Sequence, residues 1–170
     1  MYKRLKSPLS IQIEVTGQCN NLCMHCYNFW REKSDESVQV FSNNFLSLKD
    51  AETIVRKLSD VEVFNIVITG GEPLLNMKTC LTIIEMARFK NIEVNMNSNL
   101  TLLTRDKAED LRKAGLKHIL TSILGPTAEI HDRITQRDGS FQMLIESVKL
   151  AQQCGIQISA NMVVSQNNVG

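Results

Sequence analysis

Three cysteines lie within eight residues of this sequence, as Cys19-x-x-x-Cys23-x-x-Cys26, and thiolates at this spacing are suited to holding a metal. Zinc prefers four ligands in two paired arms. The chain has no second Cys-x-x-Cys and no His-x-x-x-His, and His25 lies between two of the cysteines. An iron–sulfur cluster held by three thiolates leaves one iron open, as substrate chemistry at a metal requires. The spacing favours such a cluster, with a zinc site or inert loop thiols as the alternatives.

A Gly-Gly-Glu-Pro segment at residues 70–73 is the second feature that could take part in ligand binding or chemistry. Because glycine lacks a Cβ, the backbone at Gly70 and Gly71 can approach a ligand closely. Their carbonyl oxygens, together with the Glu72 carboxylate, can accept hydrogen bonds from an ammonium group. The same segment also suits a tight turn from a strand into a helix, with Pro73 at the helix start.

The composition excludes several classes of protein. The 170 residues are 43% hydrophobic and 22% charged, which is ordinary for one globular domain with a real core. With 19 Lys and Arg against 18 Asp and Glu, a net charge of +1 gives no reason to expect a nucleic-acid partner. No apolar run approaches the roughly 18 residues that cross a bilayer, and no signal core follows the basic start. We therefore expect a cytoplasmic protein without a membrane partner.

The number of cysteines is also informative. Five is an odd number, and it argues for thiols kept reduced inside the cell rather than for a disulfide framework. Cys80 and Cys154 lie in helical patterns, so we expect them to be small buried hydrophobic residues.

Hydrophobic periodicity predicts alternating strands and helices. Alternating or β-branched apolar residues predict five strands, at residues 11–15, 61–68, 92–96, 116–124 and 156–162. Apolar residues at three- and four-residue spacing predict four helices, two of them behind the caps Ser47 and Thr104 and two at residues 81–88 and 141–151. Gly115 and Gly155 are placed to end two of these helices.

This alternation specifies right-handed β-α-β crossovers and a parallel sheet, so the predicted fold class is α/β, either doubly wound or barrel-like. Ligands of such sheets bind at the carboxyl ends of the strands. The segments that could bind a ligand or take part in chemistry all follow or end predicted strands, at residues 18–27, 70–73, 97–99, 122–125 and 161. We therefore expect one functional site at this edge of the sheet.

The cysteine spacing after the first strand and the Gly-Gly-Glu-Pro segment after the second resemble the radical S-adenosylmethionine (SAM) superfamily. The similarity continues through residues 97–104, 122–125 and 130–134, which resemble the branch that contains SPASM-type peptide and protein maturases. It covers nearly the whole chain.

The resemblance implies a [4Fe-4S] cluster bound by Cys19, Cys23 and Cys26, with SAM chelating the fourth iron through its amino and carboxylate groups. An electron from the reduced cluster would cleave SAM to methionine and a 5′-deoxyadenosyl radical, which removes a hydrogen atom from a substrate. A peptide or protein is the implied substrate, although a small metabolite stays open. The implied second partner is an electron donor such as flavodoxin or ferredoxin.

The resemblance also implies SAM contacts outside the cysteines. Gly70, Gly71 and Glu72 would receive the SAM ammonium. Ser122 would contact the ribose, and Arg133 would pair with the SAM carboxylate. The chain departs from the family at residue 124, where a leucine stands in place of a frequent aspartate.

Two further residues are implied near the cofactor. His25 occupies the place of an aromatic residue whose backbone lies near the adenine, and Asn161 would face SAM unless neighbouring backbone satisfies its amide. An aromatic tract follows the last cysteine and would either shield the cluster from water or pack against the rim: Tyr27, Phe29 and Trp30. Neither of the other histidines is assigned a role, namely His118 and His131.

The fold that the resemblance implies is a partial (β/α)6 barrel of the TIM type. The sequence supplies about five of its strands, so we expect residues 1–170 to be an incomplete radical SAM core domain from a longer protein. The sixth β/α unit and any carboxy-terminal domain would follow Gly170. The alternative from a different class is a non-catalytic zinc or iron–sulfur module with a structural or scaffold role.

Overall fold

The computed structural model describes residues 7–27 and 45–169. In these residues the strands are β1 (Ser10–Glu14), β2 (Asn65–Thr69), β3 (Glu93–Asn97), β4 (His118–Ser122) and β5 (Gln157–Asn161). The α-helices are α1 (Leu48–Asp60), α2 (Met77–Phe89), α3 (Arg105–Ala114), α4 (Ala128–Thr135) and α5 (Ser140–Gln153), and a 3₁₀ helix (Pro73–Asn76) precedes α2. None of the described helices is long and apolar enough to cross a membrane.

The five strands form one parallel sheet in the order β1-β2-β3-β4-β5. A doubly wound sheet reverses its strand order at a switch point, whereas a barrel-type sheet adds each new strand on the same side. The order in space here equals the order in the chain without reversal. The α/β prediction is confirmed, and the architecture is that of a partial barrel.

The two faces of the sheet differ in polarity. One face is buried under the helices and carries apolar side chains that are inaccessible or nearly so, including Ile66, Val94 and Ile119. The other face carries polar groups: the Asn95 amide donates to the Asn65 side chain at 2.9 Å. Because side chains alternate along a strand, the polar residues that end the strands emerge on this second face.

The predicted caps of two helices are confirmed. The Ser47 hydroxyl accepts from the backbone N–H of Asp50 at 3.1 Å at the start of α1, and Thr104 accepts from Lys107 N–H at 3.4 Å at the start of α3. Gly115 ends α3 with a φ of 127°, a conformation that favours glycine.

Several segments differ from the prediction. Helix α2 begins at Met77 rather than at residue 81, and β4 is two residues shorter at each end than predicted. The second strand begins at Asn65 rather than at residue 61, because Glu62 and Val63 donate backbone hydrogen bonds back to the end of α1. Helix α4 was not predicted by periodicity, since two of its three buried residues, His131 and Thr135, are polar and leave no apolar stripe.

Asp132 joins α4 to the start of α5. Its carboxylate accepts from Gly139 N–H at 2.8 Å, from the Ser140 hydroxyl at 2.7 Å and from Phe141 N–H at 2.8 Å. Although burial raises it, the pKa of Asp132 is held below its ordinary value by these three donors. Asp132 thus acts as the amino-terminal cap of α5 from the neighbouring helix.

We predict that Asp132→Ala lowers the free energy of unfolding by about 1–2 kcal/mol, because three donors at the start of α5 lose their acceptor. Thermal denaturation would measure the loss. Glu129→Ala, which removes an exposed carboxylate from the first turn of α4, is the matched control and should change stability by less than about 0.5 kcal/mol. Equal losses in the two variants would contradict the capping role.

Candidate functional site

A cavity of about 350 Å³ opens at the carboxyl ends of the strands, where the sequence places the site. Its lining includes eight of the ten predicted site residues, namely Cys19, Cys23, His25, Cys26, Gly70, Gly71, Ser122 and Asn161. The two predicted residues outside the lining are Glu72 and Arg133. The volume lies within the range of small-molecule and cofactor sites, roughly 300–1,000 Å³.

Residues 16–27, here called the cysteine loop, are held against the end of β2. Gly71 N–H donates to the Thr16 carbonyl at 2.7 Å, and Glu72 N–H donates to the Gln18 carbonyl at 2.7 Å. A Cβ on Gly70 would overlap the Thr16 carbonyl oxygen, and a Cβ on Gly71 would overlap that of Gln18. The two glycines therefore let the backbone that precedes Cys19 approach β2 closely.

The other side of the cysteine loop is held by α4. Leu22 N–H donates to the Thr135 carbonyl at 3.0 Å, and Met24 N–H donates to the Ile134 carbonyl at 2.9 Å. These carbonyls lie in the last turn of α4, where backbone acceptors lack a partner within the helix. The end of a helix thus satisfies backbone donors between Cys19 and Cys26.

Glu72 does not line the cavity. Its carboxylate is fully buried and accepts from Leu74 N–H at 3.0 Å, from the Ser98 hydroxyl at 2.7 Å and from Asn99 N–H at 2.8 Å. Burial raises the pKa of Glu72 above its ordinary value, and these donors oppose the rise. In this arrangement the side chain links the loops that follow β2 and β3, so its observed role is to position them.

Ser122 and Asn161 form a polar pair at the ends of β4 and β5. The Ser122 hydroxyl donates to Asn161 Oδ1 at 2.6 Å, across two residues that are in register in the sheet. Both side chains line the cavity at the end away from β1. Hydroxyl and amide groups so placed can exchange hydrogen bonds with a ligand diol.

Arg133 lies outside the cavity because of the phase of α4. His131 and Thr135 are four residues apart, face the same side of the helix and line the cavity, whereas Arg133 lies half a turn away. The exposed Arg133 guanidinium donates to the Asn167 carbonyl at 2.9 Å. In this structure it is therefore not placed to meet a ligand carboxylate in the cavity.

His131 is a cavity residue that the sequence analysis missed. Its Nδ1 accepts from Leu124 N–H at 3.1 Å, and because a backbone amide can only donate, the ring proton of the neutral form lies on Nε2. Burial lowers the pKa of His131, and the charge of Asp132 partly offsets this effect. The signal available in the sequence was helical spacing: His131 and Thr135 share one face of a segment that follows a strand.

The remaining predicted residues lie on the cysteine loop. His25 and Tyr27 line the cavity, and burial lowers the pKa of His25 and raises that of Tyr27. The rest of the predicted aromatic tract, Phe29 and Trp30, lies outside the described residues.

The donor set of the cavity fits an iron–sulfur cluster. Within residues 7–27 and 45–169, no three His, Cys, Asp or Glu side chains gather as a site for a single metal ion, although three thiols line one cavity. A tetrahedral zinc ion draws its ligands to one point, whereas a [4Fe-4S] cluster takes each thiolate on a different iron. Cys80 is not a fourth ligand, because it is buried away from the cavity and burial raises its pKa to about 12.

Comparison with known proteins gives relatives of several activities. The chain is 27% identical over 156 residues to an AdoMet-dependent heme synthase of Oleidesulfovibrio alaskensis, covering 92% of this chain and 38% of the relative. It is 31% identical over 169 residues to a GTP 3′,8-cyclase of Xanthomonas axonopodis pv. citri, covering 98% and 50%. It is 24% identical over 162 residues to a PqqA peptide cyclase of Bradyrhizobium diazoefficiens, covering 95% and 40%. The chain thus spans half or less of the length of these relatives.

Solved structures share the fold. The structure of Streptococcus suis SuiB bound to S-adenosylmethionine matches with a TM-score of 0.74 at 21% identity, over 94% of this chain and 35% of that one. SuiB bound to its precursor peptide SuiA matches with a TM-score of 0.74 at 20% identity, over 94% and 34%.

We predict that Glu72→Gln lowers the free energy of unfolding by about 1–3 kcal/mol, because the new amide places a donor against Asn99 N–H or Ser98 and leaves a buried group unsatisfied. Chemical denaturation would measure the loss. Glu85→Gln, on the exposed face of α2, makes the same chemical change and should be nearly neutral. A Glu72→Gln protein as stable as the wild type would show that the buried carboxylate does not hold the two loops.

We also predict a pH effect from His131. Below its ordinary pKa of 6.5 an unfolded histidine takes up a proton that buried His131 resists, so the wild type loses stability as pH falls through this region. His131→Asn keeps an acceptor for Leu124 N–H but does not titrate. The Tm of the wild type should therefore fall relative to the Tm of the variant as the pH is lowered from 7.5 to 5.5. A Tm difference that does not change with pH would contradict the burial effect.

A match to one protein family covers most of the chain. The sequence profile of the Radical SAM superfamily matches residues 13–167, which include the cysteine loop, the glycines after β2 and the cavity residues of β4 and β5. On the evidence of this match and of the fold, the chain belongs to the radical SAM superfamily.

Proposed function

We propose that this chain is the amino-terminal part of a radical SAM core domain, residues 1–170, in an enzyme that modifies a peptide or protein. The observation that carries the proposal is a single cavity that is lined by three thiols and by most of the residues predicted to contact SAM. Enzymes of this superfamily use a [4Fe-4S] cluster and SAM. When bound, these groups supply the reductive cleavage of SAM that yields a 5′-deoxyadenosyl radical for hydrogen abstraction.

The residues that would hold the cluster and SAM lie at the two ends of the cavity. Cys19, Cys23 and Cys26 would hold the cluster, and the backbone of Gly70 and Gly71 beside them would receive the methionine part of SAM. At the other end the pair formed by Ser122 and Asn161 would receive the ribose. His25 would contribute its backbone near the adenine. Helix α4, with neutral His131, closes one wall.

Similar proteins that bind or modify peptides support a peptide substrate. The chain is similar to SuiB, which was solved with a precursor peptide, and to a PqqA peptide cyclase. Its identity to a GTP 3′,8-cyclase is higher, at 31%, so a small-molecule substrate is the second candidate.

The first test is assembly of the cluster. Anaerobic reconstitution of the chain with iron and sulfide should give a brown protein with about four irons per chain. Cys23→Ala should lose the iron, while Cys154→Ala, which changes a half-buried cysteine outside the cavity, should retain it. With SAM and a strong reductant, the loaded protein should form 5′-deoxyadenosine. A colourless protein that contains zinc would favour a structural module. A protein that binds SAM but does not cleave it would favour a non-catalytic scaffold.

The second test concerns the substrate class. A low-potential donor such as flavodoxin or ferredoxin should replace the chemical reductant in the natural reaction. With the loaded protein, formation of 5′-deoxyadenosine in the presence of SuiA or PqqA peptide would be compared with formation in the presence of GTP. We expect stimulation by peptide. Stimulation by GTP alone would assign a small-molecule substrate, as in the GTP cyclases to which the chain is similar.

A further inference from the structure

The side chain of Asn99, in the loop after β3, reaches the sulfur of Cys19. Its Nδ2 lies 3.6 Å from Cys19 Sγ and donates to Asn20 Oδ1 at 2.9 Å. Backbone N–H of Asn21 approaches the same sulfur at 3.5 Å. Two N–H groups, one local and one from a distant loop, therefore face one predicted cluster ligand.

The orientation of the Asn99 amide is fixed by its other contacts. Its Oδ1 accepts from Thr101 N–H at 3.0 Å, and because a backbone amide can only donate, Oδ1 must face Thr101 and Nδ2 must face Cys19. The side chains of Asn99, Asn20 and Thr101 also close a ring. Asn99 donates to Asn20, Asn20 donates to the Thr101 hydroxyl at 2.7 Å, and that hydroxyl donates to Asn99 Oδ1 at 2.7 Å. A closed ring leaves the amide no alternative rotation that keeps its partners.

The backbone of Asn99 is equally constrained. Its N–H donates to the buried Glu72 carboxylate, and the Ser98 hydroxyl donates to the same carboxylate while accepting from Leu100 N–H at 3.0 Å. A rigid loop therefore delivers the donor to the sulfur, so the contact does not depend on a mobile surface side chain.

We propose that Asn99 is a positioning residue that fixes the Cys19 sulfur and raises the reduction potential of the cluster it would hold. The inference rests on the proposed function, because it requires a cluster at these thiols. A reduced cluster carries one more negative charge than the oxidised one, and N–H donors to a ligand sulfur stabilise that charge. Removing the Asn99 donor therefore makes reduction of the cluster less favourable.

The test is a redox titration of the reconstituted protein followed by electron paramagnetic resonance. The Asn99→Ala protein should still assemble the cluster, but the reduction potential of the cluster should become more negative by about 59 mV. For one electron this corresponds to a decrease of about tenfold in the equilibrium constant for reduction. Thr101→Val is the matched control, since it breaks the same ring but leaves Asn99 Nδ2 beside the sulfur. Its potential should equal that of the wild type. Asn99→Asp, which keeps an acceptor for Thr101 N–H but replaces the donor, serves as a second variant and should also shift negative.

The outcomes distinguish a failure of this inference from a failure of the proposed function. Equal potentials in wild type and the Asn99 variants, with full iron content in all, would overturn this inference and leave the proposed function intact. An equal shift in Thr101→Val would also overturn it, because general loosening of the loop would then explain the effect. If the wild-type chain assembles no cluster, the proposed function fails, and this inference fails with it.

Discussion

The site depends on one buried carboxylate. Glu72 has no solvent contact, yet it accepts three hydrogen bonds from groups on two loops, and its own backbone N–H holds the cysteine loop. A buried carboxylate is costly unless its oxygens are satisfied, so the three donors must keep their places for the fold to be stable. The stability of the domain and the placement of Cys19 and Asn99 are thereby tied to the same contacts.

The glycines beside Glu72 extend this constraint. The sequence suggests that they let backbone approach a ligand, and the structure shows that they also let one protein loop approach another. The predicted role would be compatible with the observed one, because the N–H groups of residues 71 and 72 donate to the cysteine loop while Gly70 and Gly71 line the cavity. A side chain at either position would displace the segment that precedes Cys19.

Much of this arrangement was predictable from residue patterns, and the exceptions have physical causes. Period-two strands, capped helices and glycine stops predict the β/α units, and the rule that ligands bind at the strand ends places the cavity. Hydrophobic periodicity does not predict helix α4, because the helix buries the polar residues His131 and Thr135. Arg133 and Glu72 show a second limit: a motif gives the position of a residue in the chain, whereas the direction of its side chain depends on helix phase and on which buried donors compete for it.

Helix α4 touches both ends of the cavity. Its last turn accepts hydrogen bonds from the cysteine loop, and His131, one turn earlier, lines the wall beside Leu124 and forms an edge-on ring contact with Phe141. One eight-residue helix therefore holds both the backbone that carries the thiols and the wall of the cavity beside Leu124, so a substitution that displaces α4 would change both.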